Sequence, residues 1–166
     1  LNYSPLVLVA ALCTPHALFR VALYTSTTLL FEVPRANKAM TYFWIGLGSA
    51  LGGMARYWCS GLVIRLFGET FPWGTLIVNV AGSLAIGFLA TWLSPDSRFL
   101  VFSEPRSFLM IGILGGYTTF SSFSLQTLNL ARDGEWLLAL ANIFFSVTLC
   151  LIAVFLGHTT ASHFSR

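Results

Sequence analysis

The chain has 166 residues, of which 56% are hydrophobic, 15% aromatic and 9% charged, with a mean hydropathy of +0.78 and a net charge of +3. A soluble domain carries about a quarter of its residues as charge, so this composition excludes an ordinary soluble globule and points to a membrane protein. At about 20 apolar residues per span, the length allows four or five helices and no soluble enzymatic domain, and the absence of a Lys/Arg cluster excludes nucleic acid as a partner.

The first 39 residues stand apart. Leu1 to Phe31 is apolar but interrupted by Pro5, Pro15, His16 and Arg20, and it lacks the basic start of a signal peptide. A start at Met40 would leave residues 40–166 as a four-helix unit. Residues 1–39 are then an N-terminal extension, read as a start-site artefact or dispensable segment, an extra helix, or a processed segment. The first predicted span runs from Thr41 to Ile64, is broken once by Arg56 and ends at Arg65. The second falls within Thr70–Ser94, the third within Ser107–Ala131 and the fourth within Trp136–Ser165, all free of charge. Connections around Glu69, from Pro95 to Arg106, and at Arg132-Asp133-Gly134-Glu135 are short, which favours antiparallel neighbours. Trp73, Trp92 and Trp136 lie near predicted span ends, where amphipathic rings anchor at the interface. Cys13, Cys59 and Cys150, with His16, His158 and His163, form no disulfide or metal spacing and read as packing or terminal residues.

From Met40 onward, Arg98, Arg106 and Arg166 fall on one side of the membrane, against Arg65, Arg132 and the nearby Arg56 on the other. This near tie under the positive-inside rule is either a small-number accident or the mark of a chain inserted both ways up, able to pair with an oppositely oriented copy.

Polar residues inside the spans narrow the chemistry. No Asp or Glu lies within them, which argues against proton-coupled exchange of cationic drugs. Arg56 either snorkels to the headgroups or faces a water-filled vestibule that draws in anions. Thr75, Asn79 and Ser83 recur at four-residue spacing, with Gly82 and Gly87 permitting close helix approach. A buried Asn amide needs partners, so Asn79 either ties two helices or donates to a passing anion. Asn142, Ser146 and Cys150 form a similar line on the last span.

The third span contains Gly115-Gly116-Tyr117-Thr118-Thr119-Phe120-Ser121-Ser122-Phe123-Ser124, and its low helix propensity predicts a break in mid-membrane. Freed carbonyls there suit a monovalent cation. Phe120 and Phe123 are either core packing or electropositive ring edges offered to an anion.

Taken together, Gly52-Gly53-Met54-Ala55-Arg56-Tyr57, Trp73-Gly74-Thr75-Leu76-Ile77-Val78-Asn79-Val80-Ala81-Gly82-Ser83 and the Gly115–Ser124 segment resemble the signatures of the CrcB/Fluc fluoride channels, from Met40 to about Gly157. The resemblance implies an all-α membrane protein of four transmembrane helices per subunit. It further implies an antiparallel, dual-topology homodimer in the cell membrane, multi-pass, with two fluoride pores and a central structural Na⁺. Passive export of fluoride from the cytoplasm, relieving its toxicity, follows as the expected function. Asn79, Phe120, Phe123, Ser122 and Thr119 would then border the ion, and Asn142, Ser146 and Cys150 would form a fourth-helix polar track. Arg56 would be the vestibule arginine, and the carbonyls of Gly115 and Thr118 would hold Na⁺. The alternative is a small proton-coupled secondary transporter. Three departures stand out: Gln126 occupies the position of the family's usual glutamate, Ser121-Ser122 replaces its usual Ser-Thr, and Cys150 stands on the fourth-helix track where a hydroxyl is expected.

Overall fold

The computed structural model describes residues 38–93 and 103–164, and these are helices joined by short turns. The sequence expectations for residues 1–37, for most of the loop at Pro95–Arg106 and for Arg166 lie outside the described residues. Helix α1 covers Lys38–Phe67 and closes at Gly68, whose φ of +82° suits a residue without a Cβ. Helix α2 covers Trp73–Trp92. The third span opens with α3, Ser103–Arg106, whose first turn accommodates Pro105. It continues as a π-helical stretch, Ser107–Leu114, and a short α4, Gly115–Tyr117. After Thr118 and Thr119 the chain resumes as α5, Phe120–Arg132, and a tight turn at Gly134 (φ +85°) leads into α6, Trp136–Phe164.

Three of these segments are long and apolar enough to cross a membrane: Trp73–Trp92, Ser107–Arg132 and Trp136–Phe164. The chain is thus a helical, multi-pass membrane protein. Helix α1, the first predicted span, has 30 residues and is long enough, but Lys38, Arg56, Arg65 and several glycines make it less apolar than the others. Trp73 and Trp92 are the first and last residues of α2, and Trp136 opens α6, each at a helix end as expected of interfacial anchors.

The bundle turns the soluble pattern inside out. The inward stripe of α6 is Ala139, Asn142, Ser146, Ala153, Gly157 and Ala161, whereas Leu137, Phe144, Leu151 and Phe155 face outward. Lipid is as apolar as leucine, so helices gain nothing by hiding large side chains from it and associate through small residues that let backbones meet. Helix α2 packs along α6, where Gly87 lies against the backbone of Val154 and Gly157 against that of Leu84. Helix α1 packs on the π-helical stretch and α4, with Gly48 and Gly52 meeting the backbone from Phe108 to Tyr117. Helix α5 packs instead on α6. The interruption thus lets one span change neighbours partway along its length.

The π-helical turns were not legible in the sequence. The Gly115 N–H reaches the Met110 carbonyl five residues back as well as that of Gly112, so the helix widens ahead of the interruption.

A side chain at Gly52 would collide with the Ile113 carbonyl and crowd the Tyr117 N–H at 2.8 Å, both rigid backbone groups. Gly52→Val is expected to lower stability by about 3 kcal/mol or more, read as thermal unfolding in detergent micelles. Gly46→Ala, at a position with open space around it, is expected to be neutral or to stabilise by up to about 1 kcal/mol.

Candidate functional site

Two residues leave helical geometry between α4 and α5: Thr118 (φ −82°, ψ 157°) and Thr119 (φ −152°, ψ 114°). Thr118 still donates its N–H to the Leu114 carbonyl at 3.0 Å, and the Thr119 carbonyl, at the N-cap, accepts the first bond of α5, but the Thr119 N–H has no helical partner, and within an apolar bundle water is not at hand. Asn79 on α2 supplies that partner and adds a second donor to the carbonyl. Its Oδ1 accepts from the Thr119 N–H at 2.8 Å and its Nδ2 donates to the Thr119 carbonyl at 3.0 Å, so the side-chain amide pairs with Thr119 as a neighbouring strand would. One turn along α2, Gly82 leaves room for the Thr118 methyl group. The polar line at Asn79 therefore acts first as a tie between helices. One Nδ2 hydrogen serves the Thr119 carbonyl and the second remains for an acceptor in the adjoining cleft.

Thr119 also starts α5. Its Oγ1 accepts from the Ser122 N–H at 3.2 Å and donates to Ser122 Oγ at 3.0 Å, with Ser121 Oγ at 3.2 Å. This is an N-cap, and it satisfies one of the donors a helix start leaves open.

These diverted bonds have a consequence on the carbonyl side. In an unbroken helix the Thr119 N–H would go to the Gly115 carbonyl and the Ser122 N–H to the Thr118 carbonyl. Asn79 takes the first and Thr119 Oγ1 the second, so Gly115 and Thr118 keep carbonyls without those donors. The end of α4 presents partial negative charge and the start of α5 partial positive charge, two residues apart. Among the described residues no group of His, Cys, Asp or Glu could hold a metal ion, so a cation here would depend on carbonyls such as these.

A cleft of about 410 Å³ opens beside the interruption. Asn79, Ser83, Thr118, Phe120, Phe123 and Ser146 contribute to its wall, and no charged side chain does. Phe123 is buried and Phe120 is 77% exposed; their ring centroids lie 5.3 Å apart with planes inclined at 51°. Gly115, Thr119 and Cys150 also reach the cleft. Three other residues of the expected set do not line this cleft. Ser122 belongs to the Thr119 cap, Asn142 is 1% exposed and lies behind the wall, and Arg56 is half-buried on α1 outside the lining.

Behind the cleft runs a chain of hydrogen bonds that the sequence reading only partly anticipated. Ser146 Oγ donates to Asn142 Oδ1 at 3.2 Å, Asn142 Nδ2 donates to Thr127 Oγ1 at 2.8 Å, and Thr127 Oγ1 donates to the Phe123 carbonyl at 2.8 Å. Thr127 was missed, although its four-residue spacing from Phe123 was a usable signal for a hydroxyl bonding back along the helix. Gln126, where the glutamate was expected, has a buried Oε1 with no hydrogen-bond partner.

Residues 43–158 match the family model described as CrcB-like protein, camphor resistance (CrcB). A protein of Opitutus terrae named fluoride-specific ion channel FluC is 59% identical over 120 residues, which cover 72% of this chain and 91% of that protein. Proteins of the same name from Paramagnetospirillum magneticum and Rhodospirillum rubrum are 57% and 53% identical over 127 and 122 residues. These matches cover 76% and 74% of this chain, and 99% and 95% of the relatives.

If the Asn79 amide holds the interruption together, Asn79→Leu leaves the Thr119 N–H unpaired and takes one donor from its carbonyl. The expected cost is about 1–3 kcal/mol, with the Thr119 amide hydrogen exchanging faster than those of α6. Asn79→Asp keeps an acceptor for the Thr119 N–H but sets a second oxygen against its carbonyl, so it should fall with Leu in the same exchange measurement.

Proposed function

The chain belongs to the CrcB family, and from that premise we propose that it is a fluoride-selective channel, carrying the ion passively across the membrane as an antiparallel homodimer with two pores. The observation that carries this reading is the cleft beside Thr119, polar through neutral groups alone and set against the start of a helix.

Fluoride is small and strongly hydrated, so a path for it must replace water with donors and still let the ion go. The second Nδ2 hydrogen of Asn79 is one such donor, and the Ser122 hydroxyl, an acceptor from Thr119, has its own proton to offer nearby. The N-terminal end of α5 adds the positive end of its dipole. Phe120 and Phe123 contribute ring edges, the electropositive part of the aromatic quadrupole. None of these groups carries a full charge, so none holds the ion in a deep well. Arg56, outside the cleft lining, would raise local anion concentration at an approach to the path without binding within it.

The dimer would complete what one subunit leaves open. Phe120 and Gly115 are exposed on the single chain, and an oppositely oriented copy would cover them. Helix α1 would serve as the fourth span, with the interruption of the third at mid-membrane. The freed carbonyls of Gly115 and Thr118 fit a monovalent cation, and a Na⁺ held there by both subunits would supply a fixed positive charge at their interface. The near tie of basic residues supports insertion in both orientations, in the cell membrane where fluoride export would act.

Reconstituted into liposomes, the protein should release fluoride and retain chloride. Changing Phe120 and Phe123 together to Ile should reduce fluoride release on the order of 100-fold, about 1.5 kcal/mol per ring. Equal chloride release, or fluoride release that proceeds only with a proton gradient, would overturn the reading. The second outcome would favour the proton-coupled alternative. For the cation, replacing Na⁺ by N-methylglucamine throughout purification should lower the unfolding temperature of the dimer, and returning Na⁺ should restore it. An unfolding temperature indifferent to Na⁺ would remove the cation from the proposal.

A further inference from the structure

The hydrogen bonds behind the cleft run in one direction only. A threonine hydroxyl has a single proton, and that of Thr127 goes to the Phe123 carbonyl at 2.8 Å. Toward Asn142 the same oxygen can only accept, which forces the Asn142 amide to turn its Nδ2 to Thr127, at 2.8 Å, and its Oδ1 to Ser146. Ser146 answers that acceptor by donating at 3.2 Å. Asn142 is 1% exposed, so no solvent competes for either end of its amide. Ser146 lines the cleft together with Phe123, and its one proton points away from it. The wall that Ser146 presents is therefore an acceptor wall, in the same cleft that Asn79 lines with its remaining Nδ2 hydrogen.

We propose that Thr127 is a positioning residue of the anion path. Its hydroxyl fixes the Asn142 amide, and through it sets the hydrogen-bond polarity of Ser146, while also bonding the Phe123 main chain. The inference rests on the channel reading above and adds to it a residue that does not touch the cleft. An anion in the cleft is held by the Asn79 donor and not by Ser146, which favours release. Without the Thr127 hydroxyl, the Asn142 amide loses its acceptor on α5 and is free to reverse. A reversed amide offers its N–H to Ser146 and turns the serine proton into the cleft, so that the ion is gripped by both residues.

The test is fluoride release from liposomes by wild type, Thr127→Val and Thr127→Ser, each first matched for oligomer size and unfolding temperature. The expected result is an about tenfold slower release for the Val variant, the scale of one buried hydrogen bond, and recovery to within about twofold for Ser, which restores the hydroxyl. Should Val alone fold poorly, Thr127→Val with Asn142→Leu removes both partners and leaves no orphan amide, and it is expected to be slowed as much. A conducting wild type whose Val variant, or whose double variant, conducts equally overturns this inference while the channel reading stands. So does a Ser variant as slow as Val. A wild type that releases no fluoride overturns the channel reading and this inference with it.

Discussion

The pairing of one side-chain amide with one backbone residue organises the whole structure. A polypeptide cannot leave helical geometry inside an apolar bundle unless the freed N–H and C=O find partners. Thr119 does so because Asn79 presents an acceptor to its N–H, which has no helical partner, and a second donor to its carbonyl. Asparagine is suited to the task, since aspartate lacks the donor and serine or threonine reaches one group at a time. Gly82 completes the arrangement by leaving space where Thr118 approaches α2.

Once the helix is interrupted, its two parts become different objects. The part before Thr118 is widened into π turns and packs on α1 through glycine contacts, and the part after Thr119 packs on α6. Their facing ends carry opposite partial charge, so carbonyls suited to a cation and N–H groups suited to an anion lie within a few residues of each other. No charged side chain is needed to create either environment, and none lines the cleft. That economy fits the apolar surroundings, where a full charge would be expensive.

The same logic governs the packing. In α6 the small and polar residues face inward and the large apolar ones outward, because lipid removes the incentive to bury leucine and leaves close backbone contact and hydrogen bonding as the forces that join helices. Asn142 and Thr127 show how polar groups are admitted on these terms, since each is bonded to a protein partner. Among the described residues Gln126 is the exception, with an amide oxygen that is buried and unpaired within the single chain.

Much of this was legible in the residues. The charge-free runs marked α2, the third span and α6 to within a few residues, because a bilayer excludes charge regardless of how helices meet. The low helix propensity of the residues around Thr118 and Thr119 marked where the third span would yield, and the three glycine- and threonine-rich segments identified the family. Polar spacing singled out Asn79, Asn142 and Ser146 but left open whether each served packing or an ion, since a helical period reports a face and not the partner across from it. Only the tertiary structure decided that Asn79 bonds Thr119 forty positions away, that Asn142 stands behind the cleft wall and not on it, and that Thr127 belongs with them. Local sequence carries the cost of breaking a helix, whereas the compensation comes from distant side chains whose meeting depends on how the helices pack.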